Sequence, residues 1–509
     1  MRRYLLPFLV LALAAAVLPA RSAPASVYLV GAASRDISPI GLGTINLGGF
    51  GLGDGTSPVS QAIGPGHTGH FESDHIGARA FVVQDQATGV AIALATVETQ
   101  GMFAAYQSDP QDGLVAIAQR VAHDIPGLPA SNIVIANDHT HSGPDAIGAW
   151  GFIPHSYLDF IANQTVAAIE DAYRSRRAAT IVAGADDAPD MIYNMACTEA
   201  LNQSPDSSFP NNVCDPFLES KDSWVRVLQA RDASTGDVIT TVMSYAAHST
   251  LGGGSGVHGD WPQFLSDALT ATYGGVGIAF EGTNGRIQPC RPRCSFTNSA
   301  TPGYSIADRK AAYTTMLMYH VGKALAGAPS VSGPVRASKT LIRQEAVNPF
   351  LLLLLERGSL IGAPIQRSRK APWLVGNMIG TLVSAVRIGD LLINGSPGEP
   401  YPNIAAGVVE NTNVPAPRHW TLALADDQLG YLIAPAEAWP AVAAEIYVND
   451  NSIFNVSPTI GDHVMCAQIR MARAVGFDYK PTVPEPRCIL WNAFDSATAK
   501  AANLIPALG

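Results

Sequence analysis

Charge is scarce in this chain. Only 15% of its 509 residues are Asp, Glu, Lys or Arg, while 47% are hydrophobic. A disordered or low-complexity protein has the opposite balance, so that class is excluded. Positive charge is the scarcer sign: 32 Lys and Arg against 42 Asp and Glu leave a net charge of -10. Affinity for nucleic acid comes mainly from a basic surface, so nucleic acid is excluded as a partner. Long apolar runs are absent beyond the N-terminus. Phe350 to Leu355 is strongly apolar, but Glu356 and Arg357 stop it well short of a bilayer's thickness. No internal repeat is visible, and no Ser/Gly linker divides the chain. What remains is a chain long enough to bury a large core, read here as one large domain.

The N-terminus reads as a targeting segment. Arg2 and Arg3 precede an apolar stretch from Leu5 to Leu18, and Ala23-Pro24-Ala25 fits a small-residue cleavage site. The expectation is a signal peptide over 1–25, a mature domain over 26–509, and a secreted or periplasmic location. In an oxidising compartment the six cysteines read as disulfides. Six cysteines allow 15 pairings. The simplest is local: Cys197–Cys214, Cys290–Cys294 and Cys466–Cys488.

Short β-like and helical runs alternate. Phe81–Val83, Val90–Thr96 and Ile133–Ala136 read as strands, and Ser156–Tyr173 as an amphipathic helix opened by Pro154 and a polar cap. Trp224–Gln229 and Val238–Tyr245 read as an antiparallel pair around the turn at 232–236. Ile306–Leu325 reads as a helix, and Val386–Asn394 as a hairpin around Gly389-Asp390. Gly- and Pro-rich stretches at 40–66 and 250–262 read as loops, long enough to suggest function. The fold class expected is mixed α/β, with mixed sheets flanked by helices.

The strongest chemical signal is Asn137-Asp138-His139-Thr140-His141-Ser142-Gly143-Pro144. A buried strand ends and immediately presents two histidines. On extended chain, imidazoles at i and i+2 point the same way, which suits a metal ligand beside a group that hydrogen-bonds the substrate. Two further strands end similarly: Val238–Tyr245 in Ala246-Ala247-His248, and Leu391–Asn394 in Gly395-Ser396-Pro397-Gly398-Glu399. His, His and Glu with an open position form a catalytic zinc set. Zinc activates a water near neutral pH and polarises a carbonyl. His141 and the backbone N–H groups of the glycine loop at 48–51 are candidate oxyanion donors, and His141 the candidate acid for a leaving amine. Other hydrolase signatures fail. His-Glu-x-x-His is absent, Gly143 and Pro144 stand where His-x-His-x-Asp-His needs Asp-His, and no Gly-x-Ser-x-Gly elbow exists.

An ordered set of segments resembles the neutral/alkaline (non-lysosomal) ceramidase family over about 30–470. Its members here are Val30–Ser38, Gly48-Gly49-Phe50-Gly51, His75–Phe81, His139-Thr140-His141-Ser142-Gly143-Pro144, Ala247-His248 with Gly259-Asp260, Pro397-Gly398-Glu399, and Gly430-Tyr431. The resemblance implies a zinc amidase of the ceramide N-acyl bond, with His139, His248 and Glu399 as ligands. Tyr431 would be the fourth, with Gln428 competing for that position. It implies His141 and Gln288 as catalytic groups, and Gly49, Gly51 and Asn284 as substrate-binding ones. Gln288 falls nearest the family's loop serine, and Gln203 stands where the family carries an arginine. The expectation is a single large catalytic domain without the family's C-terminal immunoglobulin-like domain. The partner expected is a lipid-like N-acyl amide, met at a membrane or micelle surface. The alternatives are a zinc hydrolase of another N-acyl or ester substrate on the same fold, and a binding homologue that has lost catalysis.

Overall fold

A computed structural model of the chain describes residues 28–39, 45–49, 62–63, 75–149, 153–194, 221–252, 257–289, 306–348, 351, 367–433, 454–480 and 486–502. The signal-peptide reading at 1–25 lies outside these residues, as do Gly51 and Gln203.

Eight strands form the larger sheet: β1 (Tyr28–Asp36), β2 (Gly77–Asp85), β3 (Ala91–Val97), β4 (Ile133–Asn137), β5 (Arg177–Asp187), β6 (Trp224–Asp232), β7 (Val238–Tyr245) and β8 (Val276–Glu281). Their spatial order is β8-β7-β6-β5-β1-β2-β3-β4. The terminal pairs β7–β8 and β3–β4 are parallel and the rest antiparallel. The smaller sheet holds β9 (Val335–Glu345), β10 (Leu374–Val375), β11 (Met378–Ile388), β12 (Leu391–Gly395) and β13 (His419–Leu422). Its order is β9-β11-β12-β13, with β10 on β11.

Period-two side-chain alternation with both faces apolar explains the layering. On β2, Phe81 and Val83 enter the core between the sheets, where they meet Val386, Ile393 and Trp420. Ala78, Ala80 and Val82 face the other way, into the core shared with α1 (Leu114–Asp124) and α2 (His155–Arg174). These small alanines let the helices lie close. Two more helices, α3 (Asp260–Tyr273) and α4 (Ile306–Leu325), cover the β6–β8 end through Trp261, Leu265 and Leu317. On the smaller sheet, Val383 and Ala385 pack toward α6 (Ile460–Ala474), beside α5 (Pro402–Asn411) and α7 (Pro486–Ala502). The result is helices, sheet, sheet, helices: mixed α/β.

One connection positions everything functional. The segment after β13 hydrogen-bonds both outer edges of the larger sheet. Ala423 N donates to Glu281 O on β8 (3.0 Å), Asn137 N on β4 donates to Leu424 O (3.2 Å), and Asp426 N donates to Ile135 O (2.7 Å). The two edges of the eight-stranded sheet are thus held together, and the C-terminal ends of β4, β7, β8 and β12 converge.

Each strand and helix read from the sequence is present. Two boundaries need correction. The helix α2 is capped by Pro154 itself, with no side-chain cap. The loop read at 250–262 ends at Gly259, because Asp260 starts α3; its carboxylate accepts from the backbone N–H groups of Leu251, Gly252 and Trp261 (2.7–2.9 Å) and folds the loop onto the helix start. The Cys466–Cys488 disulfide is present, joining α6 to α7. The other two proposed pairs lie outside the described residues.

Candidate metal centre

Three strand ends supply the site. His139 follows β4, His248 follows β7, and Glu399 opens a two-residue strand that pairs in parallel with Tyr431-Leu432, opposite Tyr431 itself. His141 Nε2 lies 3.3 Å from His139 Nε2. Glu399 Oε2 lies 3.4 Å from His139 Nε2 and 3.2 Å from His248 Nε2. The Tyr431 hydroxyl lies 3.4 Å from His248 Nε2. His139, His248 and Glu399 are buried, and His141 is half-buried.

The backbone at His139 departs from the sequence expectation. It is not extended: φ is +52°, a left-handed conformation rare outside glycine. The rings of His139 and His141 converge edge-to-face all the same, with centroids 4.9 Å apart. The surroundings impose this turn. Asp138 N donates to Val97 O, and His141 N donates to Ser249 O.

Second contacts fix the ring orientations. His139 Nδ1 meets Gln100 O at 2.8 Å, and His248 Nδ1 meets Asn284 O at 2.8 Å. A carbonyl only accepts, so each Nδ1 carries the hydrogen and each Nε2 presents its lone pair to the centre. Both Nε2 atoms lie 3.2–3.4 Å from the buried Glu399 Oε2. With both imidazoles neutral, three electron-rich atoms face one another there, an arrangement that a proton on an imidazole or a metal cation relieves. Two ligands of a tetrahedral zinc, each at about 2.0–2.1 Å, lie about 3.3–3.4 Å apart, the spacing seen around these atoms. His139, His141 and His248 thus form a group that could hold a metal ion.

The field within the site is strong. Burial pushes Glu399 up, but His139 and His248 hold it well below the usual carboxylate range. Burial lowers His139, and Glu399 more than reverses this, for a net rise. Several buried acids couple electrostatically to one another, and Glu281 couples to Glu399. Burial raises Asp138 and Glu281 well above the ordinary value, and Asp260 also rises. Sequence reasoning included Asp260 in the second histidine segment but gave no role to Asp138 or Glu281, nor to Gln100. The signal for two of them was present: Asp138 precedes His139, and Glu281 ends β8 as other site residues follow their strands.

The remaining expected residues fall as follows. Gly49 lies against His141, where a Cβ would sit 2.4 Å from its Cγ. Asn284 is fully buried, and neither atom of its side-chain amide has a hydrogen-bond partner. Gln288 sits on a short strand, where its Oε1 accepts from Thr250 Oγ1 at 2.6 Å. Gln428 Oε1 accepts from Gly430 N at 3.4 Å, and its side chain lies against Gly101.

No protein-family model matches the chain, and no curated protein matches it. Solved structures do share its fold. The neutral ceramidase of Pseudomonas aeruginosa superposes with a TM-score of 0.65 at 17% identity, over 91% of this chain and 77% of that one. A ceramidase complexed with C2 gives 0.65 at 16%, over 90% and 77%. At such identities the likeness establishes the fold: this chain has the architecture of a bacterial neutral ceramidase. Among the described residues no helix is long and apolar enough to cross a membrane.

Proposed function

We propose that the protein is an exported zinc-dependent amidohydrolase that cleaves the N-acyl amide bond of ceramide or a related lipid, releasing a fatty acid and an amine. The observation that carries this reading is Glu399 Oε2 at 3.4 Å from His139 Nε2 and 3.2 Å from His248 Nε2, with the Tyr431 hydroxyl 3.4 Å from His248 Nε2, on a fold shared with a ceramidase. His139, His248 and Glu399 would hold the zinc, with Tyr431 as the fourth ligand. When bound, zinc supplies a polarised carbonyl and a water activated near neutral pH.

The chain's own residues supply the rest. Half-buried His141 would give a proton to the departing nitrogen or a hydrogen bond to the developing oxyanion. The backbone of Gly49 closes on its ring and fixes its direction. Asn284, an unpartnered buried amide beside His248, suits a polar group of the substrate. A lipid amide would be met at a membrane or micelle surface. The Cys466–Cys488 disulfide and the N-terminal sequence support export.

The test is metal analysis joined to product analysis over a panel of N-acyl lipids, with and without chelator. About one zinc per chain is expected, with release of fatty acid that stops on chelation and returns with zinc. His139→Ala, His248→Ala and Glu399→Ala should each lose metal and activity together. His141→Ala should keep zinc and lose roughly two to four powers of ten in rate. Full zinc occupancy in two of the first three variants would overturn the ligand set; loss of zinc from His141→Ala would make His141 a ligand. Because Gln288 is engaged by Thr250, amides simpler than ceramide should be accepted. A ceramide preference of about a thousandfold in kcat/KM would overturn that expectation.

A further inference from the structure

The C-terminal helix is fastened to the rest of the molecule at a buried imidazole. His463 stands in the first turn of α6 and is fully buried. Its Nε2 meets Asp495 Oδ1 on α7 at 2.8 Å, and its Nδ1 meets Gln344 Oε1 on β9 at 3.1 Å. The Trp491 ring of α7 stacks on the imidazole, with centroids 4.1 Å apart and planes 11° from parallel. Phe494, one turn further along α7, meets the same ring edge-on. Three elements thus converge on one side chain that the metal centre does not use.

Both neighbours of the ring nitrogens are acceptors. Arg470 Nη2 donates to Asp495 Oδ2 at 2.6 Å. Burial pushes the Asp495 carboxyl up, but His463 and Arg470 more than reverse this and hold it below the ordinary carboxylate range. Asp495 is therefore ionised and only accepts. Gln344 is oriented by its other end: its Nε2 donates to Glu345 O and to Thr459 Oγ1, each at 3.3 Å. A carbonyl cannot donate, so the amide nitrogen belongs on that side and Oε1 on the side of His463. Two acceptors call for two ring N–H groups, and an imidazole with two is a cation. The stack on Trp491 favours the same form, because an indole face attracts a cation. The other charges nearby are engaged elsewhere. Asp462 takes Arg487 at 2.8 Å, and Glu345 takes Asn377 Nδ2 at 2.8 Å.

We propose that His463 is a pH-sensitive latch: it holds α7 against α6 and β9 while its ring carries both hydrogens, and lets α7 loosen when the ring gives one to solvent. The folded contacts favour the charged ring, so the latch is complete at acidic pH and is lost as pH rises. After deprotonation, either Gln344 Oε1 or Asp495 Oδ1 faces a bare ring nitrogen at a buried place, where water does not replace the missing donor. The Cys466–Cys488 bridge and the Arg487–Asp462 pair anchor the N-terminal end of α7. The loosening therefore falls on the helix from Trp491 onward, and α7 stays tethered. α6 has its own holds on the segments that lead to Glu399 and Tyr431: Gln468 Nε2 donates to Ser396 Oγ at 2.7 Å, and Gly461 N to Ile433 O at 2.8 Å. The latch is thus independent of the hydrolase reading.

Hydrogen exchange of the zinc-loaded protein, read by mass spectrometry and corrected for the intrinsic pH dependence of amide exchange, tests it between about pH 5.5 and about pH 9. Protection of α7 beyond Trp491 should fall by about tenfold or more across this range, the effect of losing one charge-assisted hydrogen bond. Protection of α2 should hold, which separates a local loosening from global unfolding. His463→Gln is neutral at every pH, so its α7 should be weakly protected throughout, with no response to pH. Asp495→Asn should move the response to lower pH, because the carboxylate no longer favours the cation. Tryptophan fluorescence supplies a second readout. A cation stacked on an indole quenches it, so emission of the wild-type protein should rise with pH along the same curve, and Trp491→Phe should lose that rise. This comparison reports even if His463→Gln fails to fold. Level protection of α7 in the wild-type protein, an equal fall in His463→Gln, or an unchanged fluorescence rise in Trp491→Phe would overturn the proposal.

Discussion

At the scale of the residue, the site depends on two backbone conformations that side chains disfavour. His139 adopts a left-handed φ although it carries a full imidazole, and Gly49 adopts φ +104°. Such positions persist when their surroundings over-determine them, and they cluster at functional sites. Gly49 is constrained twice. Its conformation is one that L side chains rarely adopt, and a Cβ there would stand 2.4 Å from His141 Cγ and 2.8 Å from its Cα. Gly49→Ala must therefore push His141 aside or unwind the bridge that Leu47 makes to Pro144. A displacement of about 1 Å in a catalytic group costs on the order of a hundredfold in rate. The expected outcome is a kcat lower by about that factor, with zinc content unchanged because His139 and His248 keep their carbonyl partners. Steady-state kinetics and metal analysis on one preparation check it, and an unchanged kcat would remove Gly49 from the site. His139, His141, His248 and Glu399 were all legible in the sequence, because each follows a recognisable strand. Gln100 was not. It acts through its backbone carbonyl, which any residue offers.

At the scale of the element, the segment 423–432 joins the two sheets and delivers Tyr431 beside Glu399. It is held by Asp427, whose fully buried carboxylate takes Arg367 at 2.7 and 2.8 Å, Thr381 Oγ1 at 2.7 Å and Ala104 N at 2.9 Å. Removing one member of such a pair leaves an uncompensated charge, which costs about 3–5 kcal/mol. Arg367→Met should lower unfolding stability by about that amount and loosen Tyr431 as well. Denaturant titration measures the first effect, and zinc affinity the second. A loss under about 1 kcal/mol would show the pair to be expendable. Nothing local in the sequence announced this hub. Its partners lie 46 to 323 residues from Asp427, and pairing over such separations is set by topology. The same limit explains what was legible among the elements. Strands such as Ile133–Asn137 announced themselves by apolar runs and helix α2 by its periodicity. The strand order, in which β4 and β8 are opposite edges held together by the β13 exit, rests on contacts no window of sequence contains.

At the scale of the whole molecule, buried carboxylates near the strand ends set how stability responds to pH. Glu98 is the tractable one. It is buried where β3 ends and accepts from Gly77 N at 2.6 Å and Arg79 Nε at 2.9 Å. Burial nonetheless raises it to about 7, against an ordinary 4.5. A carboxyl with a raised pKa binds its proton more tightly in the folded state than in the unfolded one. Its contribution is therefore complete below pH about 4.5 and is lost as pH rises through about 7. Asp138, Glu281 and Asp260 are raised as well and act in the same direction. Glu399, held low by the histidines, acts in the opposite sense, and its contribution is lost only at strongly acidic pH. Stability should therefore fall from mildly acidic to neutral pH, with up to about 3 kcal/mol of the change due to Glu98. Glu98→Gln keeps the shape and replaces the titrating group by a neutral amide, which flattens this part of the profile. Denaturant unfolding of wild type and variant, at a series of pH values with zinc held saturating, isolates the difference. The gap between the two curves should change steadily between about pH 4.5 and pH 7 and be level on either side. A constant gap would mean that the Arg79 guanidinium keeps Glu98 ionised throughout, so that the ion pair outweighs burial at this position.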